Sequence, residues 1–339
     1  MDADTQRLSF VGARLVRARE GSLPKPGVDK PRPYTMPMLR QIPVLLFAAL
    51  GLFGAARAVE PGLHRDVEYG QAAGVSLRLD ASVPEGDGPF PIAILVHGGG
   101  WNSGDKAGSD KPGNGADITP WFAPLTAAKF TWFSINYRMA PAHRWPACFE
   151  DVQTAIRWAK AHAREFKGDP TRIAIFGHSA GGHLATLAGT LGEGDTRVQA
   201  VVGYAPVTDF IYELPARGGL GKALQDLHNQ PKEPNEQSLA ILRDTAAINH
   251  VKPGLPPFLL LHGDADKTVP YQTSLNFQAR LRANGVVCDL ITIPGAGHGL
   301  LNWDQFSADH ADQMTTWLRD KLEAGPSAPR DITSAKPRD

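Results

Sequence analysis

Cysteine is scarce in this 339-residue sequence: Cys148 and Cys288 are its only two, and no CxxC or HExxH pattern occurs. Two cysteines cannot build a disulfide-rich scaffold, and the commonest ligand spacings of zinc sites are missing. We therefore expect neither a metal nor another cofactor. The pattern of predicted strands and helices places one cysteine on a helix and the other on a remote strand, so we expect both thiols to be unpaired.

Clusters of basic side chains are also lacking. Lys plus Arg and Asp plus Glu each number 35, and the formal net charge is zero. The first 58 residues carry nine of the basic and four of the acidic side chains, so the rest of the chain is mildly acidic. Nucleic-acid binding depends on clustered Lys and Arg, so the composition argues against a nucleic-acid partner. The composition does not predict an oligomeric state.

Long apolar runs are absent apart from one near the N-terminus. Arg40 precedes an apolar run over residues 42–56, and Ala56-Arg57-Ala58 follows it. These are the three parts of a secretory signal peptide, and the run is short for a membrane span. We predict a signal peptide over residues 36–58 that is cleaved near Ala58. The mature protein would then be exported to the periplasm or medium, without stable membrane association.

The position of this signal peptide is unusual, because such segments begin a chain. We predict that translation starts at Met36 or Met38, so that residues 1–35 are untranslated or disordered. The alternative is an uncleaved membrane anchor with a short tail. At the other end, the polar residues 325–339 are predicted to be disordered.

Residues 59–324 alternate short apolar runs with helical patterns, which is typical of βαβ units and a mostly parallel, doubly wound sheet. This pattern predicts a single α/β domain. Residues 207–256 interrupt the rhythm and are expected to form a small cap-like insertion. We predict strands over residues 75–79, 91–97, 131–137, 172–176, 198–204, 257–262 and 286–293, and helices over residues 121–130, 149–166, 180–191 and 309–322.

A G-x-S-x-G pattern lies between a predicted buried strand and a predicted helix. It reads Gly177-His178-Ser179-Ala180-Gly181. In this context the pattern predicts a nucleophile elbow, a sharp turn that lifts a serine oxygen above the sheet edge. Glycines on both sides give the crowded turn the room it needs. We therefore predict Ser179 as a catalytic nucleophile rather than as part of a plain glycine turn.

A second glycine-rich segment, His97-Gly98-Gly99-Gly100-Trp101, follows the predicted strand at residues 91–97. Acyl transfer needs N–H donors where a tetrahedral oxyanion forms. We predict an oxyanion hole made by Gly99, Gly100 and Ala180, the last being the residue after the nucleophile. Trp101, beside this loop, is expected to line the substrate pocket.

A serine hydroxyl needs a base, and the base needs an orienting carboxylate. In chain order the acid follows the serine and the histidine comes last. His298 follows the last strand in a glycine-rich setting and is the expected base. For the acid, the residues leave Asp264 and Asp266 open, since both follow the strand at 257–262; Asp209 is a lesser candidate.

Five motifs occur together in this order: HGGGW, NYRMAPAHRWPACFEDV, GHSAGGHLA, HGDADKTVP and PGAGHG. Over residues 69–322 the chain resembles α/β-hydrolase esterases of the bifunctional feruloyl/acetylxylan esterase group, and it is similar to the wider hormone-sensitive-lipase-like carboxylesterases. The resemblance implies an α/β-hydrolase fold and a serine-dependent carboxylic ester hydrolase. It also implies Asp266 as the acid, from the H-G-x-x-D-x-x-V-P pattern.

The substrate that the resemblance implies is an ester of a small molecule or of a plant polysaccharide, with acetyl, feruloyl or short acyl groups. The sequence leaves three alternatives open: a peptidase of the same fold, an amidase using the same triad, and a non-catalytic binding protein.

Two further signals in the sequence do not indicate a function. The first is the glycine-rich segment Gly218–Ala223, which superficially resembles a phosphate loop. A phosphate loop requires glycine at position 216 and Ser or Thr at position 223, and both positions hold alanine. Asp151 is expected to support the site or begin a helix, not to react.

Overall fold

The computed structural model describes residues 58–108 and 118–323. Residues 1–35, nearly all of the predicted signal peptide and the predicted C-terminal tail lie outside these ranges. Within them, no helix is long and apolar enough to span a membrane.

Eight strands form one sheet in the order β1-β2-β4-β3-β5-β6-β7-β8. β1 and β4 each pair antiparallel with β2, and every other pairing is parallel. Parallel strands bring their carboxyl ends to one edge, where ligands bind in open α/β sheets. The strands are β1 Gly62–Ala72, β2 Val75–Val83, β3 Phe90–Val96, β4 Thr131–Ile135, β5 Gly168–His178, β6 Ala200–Tyr204, β7 Phe258–Gly263 and β8 Cys288–Ile293.

Helices cover both faces of the sheet, as the α/β-hydrolase fold requires. The α-helices are α1 Phe122–Ala127, α2 Ala147–His162, α3 Ala180–Leu191, α4 Leu214–Arg217, α5 Lys222–His228, α6 Glu236–Thr245, α7 Tyr271–Ala283 and α8 His310–Glu323. Short 3₁₀ helices occupy Thr119–Trp121, Ala163–Phe166, Gly194–Thr196, Ala247–His250 and Leu300–Gln305.

The central strands are apolar on both faces because each face packs against helices. Along β3, Ile92 and Ile94 belong to one hydrophobic cluster, whereas Ala93 and Leu95 belong to the cluster on the opposite face. All four side chains are fully buried. This double burial is the physical reason that the run PIAILV reads as continuously apolar in the sequence.

The sheet confirms the predicted fold class, with differences at particular elements. β1 was not predicted, because it is an edge strand whose residues are mostly exposed and polar. Helix α7 was also missed. The helix predicted over residues 149–166 is α-helical only to His162. A 3₁₀ helix continues to Phe166, and Lys167 after it lies in the left-handed region (φ 52°).

The segment between β6 and β7 contains three short helices, α4, α5 and α6. It includes the range 207–256 that the sequence marks as an insertion, and part of it lies over the carboxyl edge of the sheet. Cys148 on α2 and Cys288 on β8 are buried free thiols, as predicted.

Candidate active site

Ser179 sits between β5 and α3 in a strained conformation, with φ 54° and ψ −117°. Such a backbone turns the chain sharply and costs free energy for a residue other than glycine. The turn is crowded: a Cβ on Gly177 would lie 2.0 Å from the carbonyl oxygen of Gly181. A Cβ on Gly181 would lie 2.2 Å from the carbonyl oxygen of Val96. The glycines of the motif are therefore required by close backbone contact.

Hydrogen bonds fix this elbow to the sheet. The Ser179 N–H donates to the carbonyl of Tyr204 at 3.0 Å, and the Ser179 carbonyl accepts from the N–H of His183 at 2.9 Å. Helix α3 begins at Ala180, so the first N–H groups of the helix have no partner within it. The positive end of the helix dipole thus lies beside the serine, where it favours negative charge.

The loop after β3 also bends through positive φ angles, with Gly99 at 101°, Gly100 at 57° and Trp101 at 59°. At Gly99 a Cβ would lie 2.1 Å from the carbonyl oxygen of Ser103, so only glycine fits. The carbonyl of Gly99 in turn accepts from the N–H of Ser103 at 3.0 Å. This loop lies against the elbow, because Gly181 packs on the end of β3.

Trp101 ties the glycine loop to the helix that carries the serine. Its indole N–H donates to Nδ1 of His183 at 3.1 Å, and Nε2 of His183 donates to the carbonyl of Thr245 at 2.7 Å. Both rings are buried. Burial lowers the pKa of His183 to about 4, which keeps the imidazole neutral and its Nδ1 able to accept. This role of His183 was not predicted from the sequence, although the residue lies four positions after Ser179.

The strongest polar contact at the carboxyl edge joins Asp266 and His298. Asp266 Oδ2 lies 2.7 Å from Nδ1 of His298. Asp266 Oδ1 accepts from the N–H groups of Thr268 at 2.7 Å and Val269 at 2.9 Å. Burial alone would raise the pKa of Asp266, but hydrogen bonds from His262 and His298 hold it well below its usual range. The carboxylate is therefore ionised and held in one orientation.

His262 was part of a predicted motif but had no predicted role. Its Nε2 lies 3.2 Å from Asp266 Oδ2 and 3.0 Å from the carbonyl oxygen of Val269. Because a carbonyl can only accept, Nε2 carries the proton. Nδ1 then accepts from the hydroxyl of Ser274 at 2.7 Å. His262, on β7, thus helps to position the carboxylate of Asp266 through the same oxygen that contacts His298.

His298 itself is held next to the elbow. Nε2 of His178, the residue before the serine, donates to the carbonyl oxygen of His298 at 3.0 Å, and the two rings lie 4.8 Å apart. The indole of Trp303 donates to the carbonyl of Gly297 at 3.0 Å. Burial lowers the pKa of His298 below its ordinary value, although the hydrogen bond to Asp266 opposes this shift. A neutral base is therefore favoured.

The other carboxylates weighed in the sequence have different contacts. Asp264 Oδ1 accepts from the N–H of Gly295 at 2.6 Å and supports the histidine loop. Asp209 accepts from the N–H of Ile211 at 2.9 Å within its own turn. Asp151 lies in α2 and is paired with the guanidinium of Arg138, with Nη2 to Oδ1 at 2.8 Å. The structure thus places Asp266, and neither Asp264 nor Asp209, against His298.

A cavity of about 160 Å³ opens beside Ser179. Its walls are mostly apolar, with two charged side chains among the described lining residues, Glu213 and Arg217. Trp101 is among its lining residues. The other lining residues are Gly100, Ala180, Val207, Phe210, Leu214, Gly219, Gly221, Ala223, Leu224, Thr268 and Val269.

The cavity wall formed by the segment after β6 has no signal in the sequence, since that segment contains no recognisable motif. The glycines that superficially suggest a phosphate loop have a structural role there. Gly218 ends α4 in the left-handed region (φ 60°), and Gly221 precedes the first residue of α5. In the described part of the chain, no group of three or more His, Cys, Asp or Glu side chains could hold a metal ion.

Comparison with known proteins agrees with this geometry. The family model BD-FAE matches residues 79–281. Esterase LipC of Mycobacterium tuberculosis is 37% identical over 224 residues, which are 62% of this chain and 53% of LipC. Carboxylic ester hydrolase LipN of the same organism is 30% identical, covering 77% of this chain and 72% of LipN.

Among solved structures, a truncated carbohydrate esterase from gut microbiota superposes with a TM-score of 0.64 at 25% identity. The match covers 79% of this chain and 98% of that one. The chain spans only about half the length of LipC. Since the family model covers more than half of the sequence, and the sheet has the α/β-hydrolase arrangement, the chain belongs to the BD-FAE family of α/β-hydrolases.

Proposed function

We propose that this protein is a serine-dependent carboxylic ester hydrolase that works through an acyl-enzyme. The observation that carries the proposal is the 2.7 Å contact between Asp266 Oδ2 and His298 Nδ1, beside the elbow that presents Ser179. Nucleophile, base and acid come from three different loops at one edge of the sheet. Acyl transfer by a serine, a histidine and a carboxylate requires that convergence.

The tautomer of His298 defines the direction of proton transfer. Its Nδ1 donates to Asp266, so its Nε2 has the free lone pair that can take the Ser179 proton. The Ser179 oxygen then attacks the ester carbonyl, and the carbonyl π electrons move to the oxygen. When the intermediate collapses, the bond to the leaving alcohol breaks and His298 returns the proton to that alcohol. A water attacks the acyl-enzyme by the same route, releasing the acid and restoring Ser179.

The negative charge of the tetrahedral intermediate requires donors already in place. The N–H groups of Gly99, Gly100 and Ala180 are proposed to supply them, at the bent loop and the start of α3. Each such donor is typically worth about 3 kcal/mol of barrier. Asp266 holds the imidazole ring and stabilises its cationic form without taking the proton.

For the substrate, we propose acetyl, feruloyl or other short acyl esters, including esters of plant polysaccharides. The cavity beside Ser179 supports this class: an apolar cavity of roughly 150 Å³ holds a benzene-sized group. The structural likeness to a carbohydrate esterase supports it as well. The chemistry needs no cofactor. We also propose export through the signal peptide at residues 36–58.

Replacing Ser179 by alanine tests the mechanism. We expect Ser179→Ala to lower kcat on p-nitrophenyl acetate by roughly a thousandfold or more, because the nucleophile is lost while binding remains. Ser76→Ala is the matched control, since this half-buried serine lies on the edge hairpin, where its hydroxyl bonds Glu68. A Ser179→Ala variant with activity within a few-fold of wild type would rule out the mechanism. Comparing p-nitrophenyl acetate with p-nitroacetanilide separates esterase from amidase activity.

The export proposal has its own test. When the full chain is expressed in a secreting bacterium, we expect exported protein whose N-terminus lies close to residue 59. N-terminal sequencing of the exported material measures this directly. Retention of the full-length chain in the membrane fraction would instead support an uncleaved anchor.

A further inference from the structure

Glu213 is a charged side chain of the cavity beside Ser179 that the mechanism does not use. Glu213 directly precedes helix α4 and lines the cavity together with Arg217, the last residue of that helix. Its side chain is only 11% exposed. Most of the remaining wall is hydrocarbon, including Phe210 and Leu214. A carboxylate in such a wall is costly unless its oxygens find hydrogen-bond donors.

Only part of this carboxylate is satisfied by the protein. Glu213 Oε2 pairs with Nε of Arg217, whose Nη2 donates to the carbonyl of Thr268. Glu213 Oε1 is buried and has no hydrogen-bond partner among the protein atoms of the described residues. An ionised carboxylate can accept about four hydrogen bonds, so most of its capacity is unused.

The free capacity can reach a bound molecule. Glu213 lines the cavity, and the terminal torsion of a glutamate side chain is soft, so a small rotation can turn the unpaired oxygen Oε1 toward a bound molecule. Arg217 offsets the charge of Glu213, which favours a neutral donor over a cation. A hydroxyl group is the neutral donor that esters of sugars and of phenolic acids commonly carry.

We propose that Glu213 is a specificity-determining residue that accepts a hydrogen bond from a hydroxyl group of the bound ester. The preferred substrates are thus hydroxyl-bearing esters, and the same ester without the hydroxyl is a poor substrate. Such discrimination follows because the analogue would bury the carboxylate oxygen without a partner. This inference rests on the proposed esterase function and names the substrate class of that site.

The hydroxyl can belong to either half of the ester, and two pairs of probes distinguish these sources. Methyl 4-hydroxycinnamate and methyl cinnamate differ by a hydroxyl on the acyl side. A monoacetylated methyl xyloside and cyclohexyl acetate differ in the hydroxyls on the alcohol side. We expect wild-type kcat/KM to favour the hydroxylated member of one pair by roughly 10- to 100-fold, the usual effect of a hydrogen bond to a charged group.

Variants of Glu213 then assign the preference to this side chain. Glu213→Met removes both acceptors and keeps the length of the side chain, so the ratio within the preferred pair is expected to fall to near one. Glu213→Gln retains a carbonyl acceptor and is expected to keep part of the preference. Glu233→Met is the matched control, because Glu233 is exposed in the same segment, and its ratio should equal that of wild type.

Two results would overturn the inference. One is a wild-type ratio near one for both pairs. The other is a Glu213→Met variant that loses activity equally on both members of a pair, which indicates a structural role only. Both results leave the proposed esterase function intact if the wild-type protein hydrolyses p-nitrophenyl acetate and the Ser179→Ala variant does not.

Discussion

Asp264 and Asp266 are two residues apart but have different surroundings. Asp266 is buried and receives hydrogen bonds from two histidines and two backbone N–H groups. Asp264 is exposed and bonds the N–H of Gly295. The difference follows from the turn after β7. This turn directs the carboxylate of Asp266 toward the side chain of His298 and that of Asp264 toward the backbone N–H of Gly295.

This difference predicts opposite results for two similar substitutions. Asp266→Asn should lower kcat by roughly 10⁴-fold, because an amide in place of the carboxylate favours the wrong tautomer of His298. Asp264→Asn keeps an acceptor for Gly295 and should retain activity within about tenfold. Steady-state kinetics on p-nitrophenyl acetate measures both variants. A larger loss for Asp264→Asn than for Asp266→Asn would reverse the assignment of the acid.

The sequence predicts some site residues well and others not at all. Ser179 and His298 stand out because a glycine setting and a strand context surround each of them. Asp266 needed the resemblance to a family, since spacing alone left Asp264 equally good. Glu213 has no local signal: it reaches the cavity only because a short helix folds over the sheet edge, and that contact depends on residues far apart in the chain.

At the scale of elements, the elbow depends on how closely helix α3 approaches strand β3. Gly181 lies where a Cβ would be 2.2 Å from the carbonyl oxygen of Val96 and 2.4 Å from that of His97. Backbone atoms cannot move aside as a flexible side chain can. The close approach brings the start of α3 and the glycine loop to the same point, which the proposed oxyanion hole requires.

Gly181→Ala should therefore separate the helix from the strand. We expect the free energy of unfolding to fall by about 3 kcal/mol, with loss of esterase activity. Gly221→Ala is the matched control, because a Cβ there meets nothing within 4 Å; a cost of about 1 kcal/mol or less is expected. Urea denaturation measures both. Equal stability of the two variants would show that the approach at Gly181 is not tight.

Elements with a strong hydrophobic signal are the ones that the sequence predicts. The central strands β3 and β5 are buried on both faces and appear as continuous apolar runs. β1 lies at the sheet edge with mostly exposed residues, so its sequence has no such run. Helix α7 has four buried residues among thirteen and only a weakly amphipathic pattern, so the sequence does not predict it although both flanking strands are predicted.

At the scale of the whole molecule, three histidines are buried as neutral groups. Burial lowers the pKa of His97 and His183 to about 4 and that of His228 to about 3. In the unfolded chain a histidine titrates near pH 6.5. Between pH 6.5 and these values the unfolded state binds protons that the native state does not, so stability falls as the pH falls.

The prediction is a loss of stability already between pH 6.5 and 5, above the range where carboxylates titrate in the unfolded chain. Each histidine contributes at most about 2 kcal/mol over this interval. His228→Leu should weaken the dependence, because neither ring nitrogen of His228 has a hydrogen-bond partner among the described residues and the ring packs against Trp145 and Phe210.

Urea midpoints at pH 7 and pH 5 measure this effect. His64→Leu serves as the control, since His64 lies on the edge strand and its ring hydrogen bond is exposed. The control should keep the wild-type difference between the two pH values. A His228→Leu variant with the same pH dependence as wild type would contradict the assignment of a neutral, buried imidazole.

The central claim is that Ser179 is the reactive nucleophile of this fold. Its most direct measurement is labelling of the folded protein with a fluorophosphonate, followed by intact-mass analysis and peptide mapping. One adduct per chain is predicted, located on Ser179 and absent from Ser179→Ala, with much slower labelling of His298→Ala. A folded wild-type protein that takes up no label, or takes it up on another residue, would contradict the claim.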